Sequence, residues 1–124
     1  MTPLLRKLKN AVLGEAYDLS FAFVGPTEMR RIMKYKKLAP SELSRTKTSN
    51  VLSFPLTKTS GEILICKSAA KPYTYEYLFI HGLFHIKGMK HGVTMERAEE
   101  RLLTRFKLCK EQLPGSMSAR TKSR

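Results

Sequence analysis

All three histidines of the chain fall in one stretch, His81-Gly82-Leu83-Phe84-His85-Ile86-Lys87-Gly88-Met89-Lys90-His91. Imidazoles four residues apart share one face of a helix, so His81 and His85 are expected to converge on one point. Gly88 can take the left-handed conformation that ends many helices, which turns the chain and brings His91 toward the same point from a loop. Structural zinc sites are closed by four protein ligands, usually with cysteines, and no cysteine lies near this stretch. Three neutral imidazoles leave a fourth position for water, whose pKa a bound Zn²⁺ lowers from about 15.7 to roughly 7. The spacing therefore predicts one metal ion on His81, His85 and His91, and with it a metal-dependent hydrolase. Zinc is the first choice, and imidazole also suits nickel, copper, iron or another divalent transition metal.

The elements that must position these ligands can be read from capping and periodicity. Thr2-Pro3 opens a first helix that Gly14 stops, with Leu4, Leu5, Leu8 and Val12 toward the core. Asp18 to Gly25 alternates as a strand through Leu19, Phe21 and Phe23. Thr27 caps a second helix from Glu28 to about Lys37. Leu38 to Ser49 reads as an irregular connection, followed by strands over Asn50 to Leu56 and Glu62 to Lys67. Pro72 opens a long helix that carries His81 and His85, with Tyr75, Leu78, Phe79 and Phe84 on its apolar face. A last helix begins near Thr94 behind Glu96, Glu99 and Glu100, buries Leu102, Leu103, Phe106 and Leu113, and ends at Pro114-Gly115. The expected fold is α/β (α+β): a small mixed sheet of about four strands packed with helices, the metal site lying on a central helix and the turn after it. Residues 1–115 are expected to form one domain, and the basic stretch 116–124 a disordered tail.

The net charge of +13, from 23 Lys and Arg against 10 Asp and Glu, exceeds what solubility requires and calls for a polyanionic partner, nucleic acid first among them. A membrane is not expected as a partner, since no segment approaches the roughly 20 apolar residues that cross a bilayer and the amino terminus lacks a continuous apolar run. No motif calls for a small-molecule organic cofactor. Cys66 and Cys109 form no CxxC pair and are expected to pack as small apolar residues in a reducing, cytoplasmic setting.

Three segments together resemble the YbeY family of bacterial rRNA-maturation endoribonucleases. Asn50-Val51-Leu52-Ser53-Phe54-Pro55 is similar to the family's T-D/N-V-L-S-F-P strand, Gly61-Glu62-Ile63-Leu64-Ile65-Cys66 to its G-D-I-x-I-C strand, and the histidine stretch to its H-G-x-x-H-x-x-G-x-D-H metal motif. The resemblance implies a zinc site on His81, His85 and His91 and single-strand-specific RNA hydrolysis. It also implies a role in small-subunit rRNA maturation and ribosome quality control, with rRNA and the small ribosomal subunit as partners. It further implies an active-site arginine upstream of the strand, for which Arg45 is the nearest candidate; in the family's register this chain has Leu43. Ser53 is a candidate cleft residue, and Arg45, Lys47 and Lys90 are candidate RNA contacts. Met89-Lys90 stands where the family has Tyr-Asp, which removes a carboxylate that could orient a ligand, and lost support of that kind costs about 10–100-fold in metal affinity or activity.

Two rival readings follow from the same residues. A ribosome-associated RNA-binding factor with a structural or weakened metal site would fit Met89-Lys90. A metallopeptidase would share the histidine spacing, but such enzymes place a glutamate base after the first histidine, and here that residue is Gly82.

Overall fold

A computed structural model describes residues 1–35 and 50–112 of the chain. Arg45 and Lys47 with the whole irregular connection from Leu38 to Ser49, Leu113, Pro114-Gly115 and the basic stretch 116–124 lie outside the described residues. The elements run α1 (Pro3–Leu13), β1 (Asp18–Phe23), α2 (Pro26–Tyr35), β2 (Val51–Thr57), β3 (Ser60–Ile65), a short 3-10 turn (Lys67–Ala69), α3 (Tyr75–Lys87) and α4 (Val93–Arg105).

The sheet has three strands among the described residues, one fewer than the sequence suggests, in the order β1-β3-β2. β3 is central, parallel to β1 and antiparallel to β2. Ile63, Leu64 and Ile65 are all buried, the continuous apolar run expected of a strand covered on both faces. Alternation along β3 sorts them: Ile63 and Ile65 join the core beneath α1 and α3, while Leu64 and Cys66 pack with Met29 and Met33 of α2 on the other face. Pro55 falls in β2, an edge strand, where a missing N–H costs least, and the register shifts between Pro55 and Thr57.

The helix ends follow local chemistry. The Thr2 hydroxyl accepts from the Leu5 N–H with Pro3 next to it, and Gly14 terminates α1 at φ 95°. Leu5, Leu8 and Val12 are buried as the periodicity requires, and Leu4 is half-buried. α2 begins at Pro26 rather than behind Thr27, since proline suits the first helical position and the Met29 N–H reaches the Gly25 carbonyl. α3 begins at Tyr75 rather than Pro72, because Thr74 supplies the capping oxygen that receives the Tyr77 N–H at 3.1 Å. α4 stops at Arg105, short of the expected Pro114-Gly115. Lys107 takes a left-handed φ of 57°, and the Leu108 N–H bonds back to the Leu103 carbonyl. The chain then returns to the start of α3: the Thr74 hydroxyl donates to the Cys109 carbonyl at 2.7 Å, and the Gln112 N–H to the Pro72 carbonyl at 2.7 Å. Cys109 is consequently exposed, not packed as expected, whereas Cys66 is fully buried.

Helix α3 is the hub. It packs on α1, on β2 and β3, and on α4. Gly82 is where it meets the sheet: a Cβ there would lie 3.1 Å from the Ile63 Cδ1. Position 82 thus faces β3.

Candidate metal centre

His81 and His85, one turn apart on α3, bring their Nε2 atoms to 3.0 Å from each other. Gly88 ends the helix in the left-handed region, at φ 105° and ψ 7°, with the Met89 N–H bonded to the Phe84 carbonyl. The turn that follows carries His91 back, so that its ring centroid lies 4.9 Å from that of His81 and 4.5 Å from that of His85. One ligand atom from each histidine lies within 4.8 Å of the others. His91 is exposed and the other two are half-buried, so the cluster opens to solvent on one side.

The second nitrogen of each helical ring determines what the first can do. Nδ1 of His81 faces Oε2 of Glu99 at 2.6 Å, and Nδ1 of His85 faces the Met89 carbonyl at 3.2 Å. A carboxylate and a carbonyl only accept, so each Nδ1 carries the hydrogen and each Nε2 presents a lone pair. Burial first, then the neighbouring His81 and His91, holds the pKa of His85 below the usual imidazole range, which favours the neutral ring. With both rings in this tautomer, two lone pairs face each other across 3.0 Å, a place that a metal ion or a shared proton can fill. Metal–nitrogen bonds of about 2.0–2.1 Å with tetrahedral angles would place the two nitrogens roughly 3.4 Å apart, so this donor set fits a zinc-like ion.

Glu99 was not a site residue by sequence reasoning, which counted it among the acids at the start of the last helix. It is 2 % exposed, and its other oxygen receives the Tyr77 hydroxyl at 3.3 Å. The available signal was its position: Met95, Glu99, Leu102 and Leu103 share the buried face of α4, so a glutamate interrupts an apolar stripe. A carboxylate thus reaches the His81 ring from α4, and Met89 contributes its carbonyl to the His85 ring.

Lys90 is exposed beside the cluster, in the turn between His85 and His91. Ser53 sits half-buried in β2 opposite Ile63, two residues along from Val51 and on the same sheet face, while the hydrogen bonds of the helical histidines go to Glu99 and Met89. Position 82 is closed to a peptidase-type glutamate, since the side chain would enter the packed contact with Ile63.

No protein-family model matches the chain. It is 34 % identical over 92 aligned positions to Endoribonuclease YbeY of Finegoldia magna, covering 60 % of this chain and 56 % of that protein. It is 35 % identical over 88 positions to Endoribonuclease YbeY of Rubrobacter xylanophilus, covering 66 % of this chain and 58 % of that one. The chain thus spans little more than half the length of the curated relatives it matches. Over that stretch the chain is similar to proteins named Endoribonuclease YbeY.

Proposed function

We propose that this chain is a zinc-dependent, single-strand-specific endoribonuclease of the cytoplasm, acting in small-subunit rRNA maturation and ribosome quality control, with His81, His85 and His91 as metal ligands. The observation that carries the metal is the pair of Nε2 lone pairs facing across 3.0 Å while both Nδ1 atoms are engaged. Two relatives named as endoribonucleases and a net charge of +13 support RNA as the substrate.

Each residue has a part in hydrolysis of a phosphodiester. A divalent ion supplies Lewis acidity when bound. Glu99 holds the His81 ring in one tautomer and one orientation and raises its basicity, and the Met89 carbonyl does the same for His85. Tyr77, donating to the second oxygen of Glu99, keeps that carboxylate aimed. The open side of the cluster at His91 admits the scissile phosphate. Lys90 offsets its charge from the turn, and Arg45 and Lys47 are assigned the same task from the connection before β2. Ser53 is assigned to the wall of the cleft.

Cleavage of a defined single-stranded RNA by the purified chain tests this reading, run with chelator, with zinc restored, and with His85→Ala prepared identically. Chelator-sensitive and zinc-restored cleavage, absent from the variant, is expected. RNA bound but intact under every condition would instead establish the RNA-binding factor.

A further inference from the structure

Helix α4 has a second face. Its inner side buries Met95, Glu99, Leu102 and Leu103, and on its outer side Arg97, Arg101 and Arg105, all exposed, recur every fourth residue. Four residues advance a helix by about 6 Å, so the three guanidinium groups form a ridge with regular steps along one axis. The ridge borders an open groove of about 810 Å³ that Phe84 and Leu102 line on the apolar side. Glu100 borders the same groove, yet among the described residues none of the three arginines lies within ion-pair distance of a carboxylate. Arg105 rests over the Phe106 ring at 5.3 Å, a contact that leaves its hydrogen-bond donors available.

The placement of this row is as informative as its charge. α4 starts at Val93, directly after His91-Gly92, so the row begins next to the histidine turn and runs away from it. Glu99 on the opposite side of the same helix fixes the direction of His81. One helix therefore connects the metal cluster to an unpaired cationic ridge. A linear polyanion with a charge on every nucleotide can meet such a ridge phosphate by phosphate, and arginine's planar donor fork suits phosphate oxygens. We propose that Arg97, Arg101 and Arg105 form a phosphate track that holds single-stranded RNA along α4 and leads it to the His81–His85–His91 cluster. This track rests on the endoribonuclease reading above and adds to it a subsite and a strand path.

The test is the salt dependence of binding, which counts phosphate contacts independently of cleavage. Full-length protein, with chelator and again with zinc, is titrated into a fluorescently labelled single-stranded RNA oligonucleotide, and anisotropy is read at several salt concentrations. Each phosphate contact contributes about 0.7 to the slope of log K against log salt for a single strand. R97Q/R101Q/R105Q is expected to reduce the slope by about 2 and to weaken binding at least about tenfold at low salt. R97K/R101K/R105K keeps the slope, and K7Q/K58Q/K71Q, which removes equal charge from other surfaces, leaves it near that of the unaltered protein. If the glutamine triple variant does not fold, the three single substitutions decide, each lowering the slope by about 0.7. A glutamine variant with an unchanged slope, or an equal loss in both glutamine triples, overturns the track while leaving the nuclease reading intact. RNA neither bound nor cut by the unaltered protein removes both.

Discussion

The Nδ1 of His81 on α3 lies 2.6 Å from Oε2 of Glu99 on α4, a short contact between a metal-facing ring and a buried carboxylate. Glu99→Gln preserves an acceptor of the same shape but removes the charge. Because lost outer support of a ligating histidine costs about 10–100-fold in metal affinity, Glu99→Gln should weaken zinc binding by that order with the fold retained. Competition against a chromophoric chelator measures it, and an unchanged affinity would show that the carboxylate does not orient the ring.

Glu99→Ala should do more. It leaves the His81 N–H and the Tyr77 hydroxyl without their acceptor in a buried place, at a cost of about 1–3 kcal/mol. Urea denaturation of metal-free protein should show this loss, with Glu99→Gln falling closer to the unaltered chain.

Zinc should raise thermal stability through mass action. An ion present at about one hundred times its Kd adds roughly 2.7 kcal/mol to the folded state, which for a domain of this size moves Tm by on the order of 10 °C. Calorimetry with and without chelator reads the shift, and His85→Ala should abolish it.

Gly82→Glu should not create a peptidase. It would drive a charged side chain into the contact between α3 and Ile63, so the expected result is a loss of several kcal/mol or failure to fold. A folded Gly82→Glu protein that hydrolyses peptides would contradict the packing.

Alkaline pH should unfold the protein partly through Tyr77. Burial, followed by the charge and hydrogen bond of Glu99, raises the pKa of this phenol well above its ordinary value. Above about pH 10 the unfolded chain releases that proton while the folded chain keeps it, so the unfolded state binds fewer protons and stability falls as pH rises. The slope from this group approaches about 1.4 kcal/mol per pH unit, and Tyr77→Phe should flatten it in denaturation curves taken between neutral and strongly alkaline pH.

Much of this arrangement was legible in the residues because local chemistry governs it. The histidine spacing and Gly88 give the geometry of the cluster directly, since the helical repeat and a left-handed glycine are backbone properties. The first strand read correctly from its alternation, and the other two from β-branched and apolar runs. What the sequence concealed are contacts that pair distant positions. Glu99 looks like one more acid in the first half of a helix until the apolar neighbours Met95, Leu102 and Leu103 show which side it faces. The early stop of α4 was hidden for a related reason: Lys107 adopts a conformation usually left to glycine so that the chain can return to Thr74, 35 residues away from Cys109 in sequence. The expected fourth strand has no counterpart among the described residues.

The return of the chain from α4 to Thr74 also limits how the two helices can move. The His91 turn joins them at one end and the bonds from Thr74 to Cys109 and from Gln112 to Pro72 fasten them at the other. Sliding α4 along its axis by one helical turn, about 5.4 Å, would carry Glu99 out of reach of His81. Fastening at both ends forbids that slip, so the axial registry of two helices, rather than any one side chain, keeps the donor directions of the cluster constant.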